Sequence, residues 1–143
     1  MKVNITYSLA EQTMVKLMHI GDQLWRISDE RFSQWGLSDN HYNVLRILNG
    51  SETALPQTEI GRRLVSSRAN VTKLIDLLEK KQFVERLSCT DRRVKQIALT
   101  KQGTQFIRDT QKQVIEFAEN NMKNFSKSEL EILSNLLDKL KVI

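Results

Sequence analysis

Apolar positions recur along this chain at helical spacing in six stretches and at strand spacing in two short runs. From about Ser8 to Trp35, Met14, Leu17, Met18, Gly21, Leu24, Trp25 and Ser28 trace one stripe, continued by Phe32, and Gly36 closes the helix. Ser38 caps a second helix whose inner face is Tyr42, Leu45 and Leu48, widened by Val44 and Ile47. A loop from Asn49 to Thr53 follows, and Leu55-Pro56 marks a boundary, since the residue before proline is pushed out of the helical region. Thr58 to Val65 then reads as a short helix with Ile60, Leu64 and Val65 facing inward. The next helix, capped by Ser66 or Ser67, runs to Lys81 and buries Val71, Leu74, Ile75 and Leu78. Phe83–Leu87 and Val94–Leu99 are strand-like, with Ser88–Arg93 as the hairpin tip between them. Thr100 caps a long helix through Phe106, Ile107, Val114, Phe117 and Ala118 to about Asn124. Ser126 and Glu129 have the capping-box spacing for a last helix, striped by Leu130, Leu133, Leu136, Leu137 and Leu140.

The order helix, turn, helix, strand, basic turn, strand between Gln57 and Lys101 is that of a winged helix-turn-helix. The expected fold is therefore mainly α with a small β-hairpin wing. A single domain would span 1–143, with a DNA-binding lobe at 38–101 and terminal helices at 1–35 and 102–143. Opposite the buried stripe of the groove helix lie Ala69, Lys73, Asp76 and Lys80, flanked by Asn70 and Thr72. Asparagine can pair with adenine, threonine can touch a thymine methyl, and lysine can reach guanine or phosphate. Ser67, Arg68, Asn70, Thr72 and Lys73 are the candidate groove contacts, Arg68 because it lies in the first turn. Arg92 and Arg93 at the hairpin tip suit phosphate or a narrow minor groove. The plainer readings are a solvated helix face and a surface hairpin that happens to be basic.

Charge sharpens the choice. The chain of 143 residues carries a net +5, but residues 57–101 hold eleven lysines and arginines against five carboxylates, a net +6 that leaves −1 elsewhere. A basic excess confined to one lobe is the electrostatic footprint of a nucleic-acid partner. With 40% hydrophobic and 27% charged residues the composition is that of a globular domain. Neither a membrane-length apolar run nor a signal-peptide core is present, so a cytoplasmic protein without a membrane partner is expected. The single cysteine, Cys89, excludes an intrachain disulfide. Arg86, Arg92 and Arg93 could activate it, but an unreactive turn residue is the simpler reading.

Thr58-Glu59-Ile60-Gly61, Val71 to Lys81, Val84-Glu85-Arg86, Asp91-Arg92-Arg93 and Leu99-Thr100-Lys101-Gln102-Gly103 together resemble the MarR family of transcriptional regulators. The resemblance covers the middle of the chain closely, and the flanking helices fit the family's layout. It implies that Asp91 braces the wing, while Arg92 and Arg93 share bracing and minor-groove contact. It also implies that the terminal helices interlock in a two-fold dimer, each subunit reading one half of a palindrome, most simply as a repressor. One position departs from the pattern: Gln82 stands where the family usually has glycine.

From the residues alone, the terminal stripes hold more apolar surface than a small winged core can cover, which favours a homodimer over a monomeric bundle. His19 and His41 form no triad, and there is no metal-ligand spacing or phosphate loop, so no enzyme activity and no cofactor are expected. Many proteins of the resembled family bind small aromatic or anionic effectors. Met18, Trp25, His41, Tyr42 and Leu45 could line such a pocket, or be plain core. Two other functions fit the same lobe: a protein-interaction module for an acidic partner, and a sequence-independent architectural DNA binder.

Overall fold

The computed structural model describes residues 6–64, 70–88 and 95–140. Its elements are α1 (Leu9–Ser33), α2 (Asp39–Asn49), β1 (Leu55–Pro56), α3 (Gln57–Arg63), α4 (Val71–Lys80), β2 (Val84–Leu87), β3 (Gln96–Leu99), α5 (Lys101–Met122) and α6 (Lys127–Asp138). They form two compact units, one running to Thr104 and one beginning at Gln105. The expected mainly helical fold with a small sheet is present. No helix of the described residues is long and apolar enough to cross a membrane.

Several caps stand where the sequence places them, and Ser8, the approximate start of the first helical pattern, adds one. Ser8 accepts from the Glu11 amide, Ser38 from His41 and Ser126 from Glu129, the last two as reciprocal capping boxes. The Thr100 hydroxyl accepts from the Gly103 amide 3.0 Å away at the start of α5. Gly36, at φ 65°, ends α1 in the left-handed region, and the Leu37 amide returns to the Phe32 carbonyl. Leu37 and Phe32 are both buried, and Phe32 stacks on Tyr42 at 4.6 Å between ring centres. Asp39 also takes hydrogen bonds from Ser28 and Asn43, and its amide donates to Asp29, so the end of α1 and the start of α2 are fastened by polar groups as well.

Two expectations are corrected. Leu55-Pro56 is a strand as well as a boundary: it pairs antiparallel with β3, Leu55 opposite Ile97, making a three-stranded sheet in the order β1-β3-β2. The hairpin pairs Val84 with Leu99 and Leu87 with Gln96. The cap of α4 is Asn70, whose Oδ1 accepts from the Lys73 amide at 3.1 Å; the expected caps Ser66 and Ser67 lie outside the described residues. Asparagine ranks with serine at this position, and the helix begins at the last of the three available caps. Around α4 the core closes with Val44, Leu45, Ile60, Ile75, Leu78, Val84 and Ile97, all essentially inaccessible.

Gln82 adopts φ 62°, the left-handed conformation that glycine takes in related turns. The Gln82 amide donates to the Glu79 carbonyl and the Phe83 amide to the Leu78 carbonyl, the paired bonds of a Schellman turn. A side chain with a Cβ is strained there by about 1 kcal/mol. Gln82→Gly is expected to raise Tm by about 2–4 °C, read by thermal denaturation. An unchanged or lower Tm would mean that the turn carries no such strain.

His41 occupies the third position of the α2 capping box, where glutamate or glutamine is usual. Its Nδ1 accepts from the Ser38 amide at 3.0 Å and lies 2.7 Å from the Ser38 hydroxyl. Burial, and to a lesser degree Lys81, hold its pKa below 6.5, with Asp29 pulling the other way. A depressed folded-state pKa means that His41's contribution is complete above pH 6.5 and is lost as pH falls below 6.5 through the folded value. His41→Gln keeps an acceptor for the Ser38 amide and does not titrate. Its melting temperature should therefore lose part of the wild-type fall between about pH 7 and 5; identical pH profiles would remove His41 as the cause.

Candidate nucleic-acid interface

The interface is built on α4. Burying Leu74, Ile75 and Leu78 turns Thr72, Lys73, Asp76 and Lys80 outward, as the helical period requires. Asn70 is exposed at the helix entrance; its Oδ1 accepts the Lys73 amide as the cap, and its amide NH2 is left to meet a base or phosphate. The Thr72 hydroxyl accepts from Gln57 Nε2 at 2.6 Å, which ties the first residue of α3 to the second of α4 and leaves the hydroxyl proton to donate. Lys73 and Lys80 have no ion-pair partner among the described residues. Ser67, Arg68, Asp91, Arg92 and Arg93 lie outside the described residues, as does Cys89.

Three residues that shape this face were not singled out from the sequence. Gln57 positions Thr72. Arg86 of β2 pairs with both Asp76 and Glu79 of α4. Glu59 of α3 takes Arg62 and Arg63, and these bonds, Arg62's first, hold its pKa down to about 2. The Glu59 pairs were legible as spacings of three and four along one helix. The Gln57 and Arg86 contacts join separate elements, and nothing local announces them.

The expected pocket residues are dispersed. Tyr42 and Leu45 are core residues, Leu45 wholly inaccessible; Trp25 and His41 are half-buried and Met18 is exposed. Clefts described in the structure are lined by Leu48, Asn49 and Ser51 to Ala54 with Ala98 and Leu99, by one face of α5, and by Asn43, Arg46, Ile47 and Arg63. None of the five residues lines any of them.

A short helix, a second helix capped and pinned beside it, and an antiparallel sheet packed behind define a winged helix-turn-helix. Residues 35–94 match the model of the MarR family. The chain is 34% identical over 104 residues to the HTH-type transcriptional regulator PapX of Escherichia coli, covering 71% of this chain and 63% of PapX. A MarR transcription factor from Planctomyces limnophilus superimposes with a TM-score of 0.71 at 29% identity, over 95% of this chain and 100% of that one. The fold is also that of S. aureus MepR in its complex with DNA, at TM-score 0.77 and 20% identity, over 94% and 96% of the two chains. Over residues 35–94 the chain is of the MarR family, and its fold is that of MarR-family proteins. It spans less than two thirds of the length of the curated relatives PapX and PrsX.

Proposed function

We propose that the protein is a homodimeric, sequence-specific DNA-binding transcriptional regulator that represses from palindromic operators. The observation that carries this reading is α4: a helix with a cationic outer face, fixed from α3 by Gln57 and from β2 by Arg86, in a lobe of net +6. Its two ends meet what a major groove presents, with Asn70, Thr72 and Lys73 at the entrance and Lys80 a little over two turns on. Ser67 and Arg68 precede the entrance, and Arg92 and Arg93 would reach flanking minor grooves from a wing braced by Asp91. PapX is named a transcriptional regulator and MepR is seen on DNA, which supports the same role here.

The dimer rests on α6. It has a capping box and a leucine stripe, yet none of its residues is buried; Ile132, Leu136 and Leu137 within it and Leu140 just beyond it are each 45–58% exposed. A twelve-residue helix is marginal in water by itself, so this face calls for a partner, and a second copy is the simplest. A small aromatic or anionic effector that shifts the two reading helices belongs to the same proposal; of the five residues expected to meet it, Met18, Trp25 and His41 are the accessible ones.

The test is selection of duplexes from a random pool, followed by titration of the winner and a scrambled control at two salt concentrations. A palindromic winner preferred by about 10³-fold or more establishes the reading. Salt-sensitive binding without preference would make it an architectural binder. An absence of duplex binding would favour an acidic protein partner.

A further inference from the structure

The groove helix carries two carboxylates, Asp76 on the outer face that would approach a polyanion and Glu79 on the flank of that face. On an isolated helix Asp76 would pair with Lys73, three residues before it, or with Lys80, four after it. It does neither. Arg86, reaching from β2, takes Asp76 through one terminal nitrogen and Glu79 through the other. The arginine side chain is only 18% exposed, whereas Asp76 is 57% and Glu79 42% exposed. The cation is thus the fixed member, and it draws both anions toward the sheet. Backbone geometry supports the reach, because Arg86 is opposite Ile97 in the middle of the hairpin and follows closely on the turn that ends α4.

We propose that Arg86 is a positioning residue for DNA binding: by pairing with Asp76 and Glu79 it withdraws and neutralises the carboxylates of the groove helix, leaving Lys73 and Lys80 for the nucleic acid. The proposal rests on the DNA-binding reading above and adds a residue that never touches DNA. Without Arg86, the described part of α4 with Lys81 sets three lysines against two carboxylates, and Asp76 is free to pair with Lys73 or Lys80. With Arg86 the carboxylates are engaged elsewhere. Phosphate contacts dominate duplex affinity, so a lysine released or occupied is a large change for a small site.

The experiment compares three proteins on the selected duplex and its scrambled control: wild type, Arg86→Gln, and Asp76→Asn with Glu79→Gln. Affinity and Tm are measured on the same samples. Arg86→Gln should lose about tenfold or more in affinity at moderate salt and show a shallower dependence on salt concentration. The double carboxylate variant loses the same ion pairs, so its Tm should fall or stay level while its affinity equals or exceeds wild type. Those opposite movements are what a purely structural clamp could not produce. If affinity falls with Tm in the double variant, Arg86 only holds the fold and the proposal is overturned. If Arg86→Gln binds as wild type does, it is overturned too. Failure of wild type to bind duplex DNA would instead remove the DNA-binding reading itself.

Discussion

Gly103→Ala is expected to lower Tm by about 6–12 °C, corresponding to about 3 kcal/mol or more of lost stability. A Cβ built at Gly103 would lie 2.1 Å from the Phe83 carbonyl oxygen and 2.9 Å from its carbon. Both are main-chain atoms, and neither is free to yield. The Phe83 amide is bound to Leu78 in the turn that ends α4, and the Phe83 carbonyl accepts from Thr100 at 3.1 Å. The Thr100 hydroxyl meanwhile donates to the Gln82 carbonyl at 2.6 Å. Room for one methyl group therefore means parting the first turn of α5 from the exit of α4, with loss of these bonds. Gly21→Ala is the internal control. Its Cβ would meet nothing within 4 Å on an exposed stretch of α1, so alanine should raise stability by up to about 1 kcal/mol. Thermal denaturation of the two variants side by side decides the matter, and equal melting temperatures would sink the steric account.

The second large effect concerns assembly. Ile132→Glu with Leu136→Glu puts two carboxylates on adjacent turns of the exposed apolar face of α6, at positions 58% and 56% exposed in the single chain. Each apolar side chain buried at an interface contributes about 1.5–3 kcal/mol, and a carboxylate in its place must be stripped of water as well. Sedimentation equilibrium should show the wild type as a dimer and the variant as a monomer. Affinity for a palindromic duplex should fall about 10²-fold or more, because the second half-site is no longer delivered by the first. The Tm of the winged lobe should change far less than the oligomeric state. A variant that stays dimeric would show that this face is not the interface.

Much of this molecule was legible because its signals are local and periodic. Leu74, Ile75 and Leu78 are buried as their spacing demands, and Ser38, Thr100 and Ser126 cap the helices they precede. Gln82 was legible as a departure, and it takes the left-handed conformation that makes the departure matter. Legibility ended where partners are distant or where signals compete. Ser66, Ser67 and Asn70 are all good caps, and no periodicity distinguishes among them; the choice fell to Asn70, which moved the helix start and occupied a carbonyl oxygen counted as a base contact. A two-residue strand has no period to detect, so β1 was invisible until Leu55 was seen opposite Ile97. Aromatic residues at helical spacing suit a core and a pocket equally well. Tyr42 settled in the core because Phe32 stacks on it. Asp76 was read as part of a groove face, since nothing near it in sequence indicates that Arg86 would claim it.

The short strand β1 also bears on how the lobe opens. Its two residues join β3 across the whole length of α3, α4 and β2, and the second of them, Pro56, has no amide proton to give to the ladder. Closing so long a stretch of chain for so few bonds makes this pairing costly in entropy and small in return. Opening of this pairing, a seam in the sheet, is expected to need less free energy than global unfolding. Pro56 is also the residue from which α3 departs, so an open seam loosens the helix whose Gln57 steadies Thr72. A duplex that binds only the closed lobe would seal the seam by mass action. Slowed amide exchange at Ile97 would then report occupancy of the groove helix from the far side of the sheet.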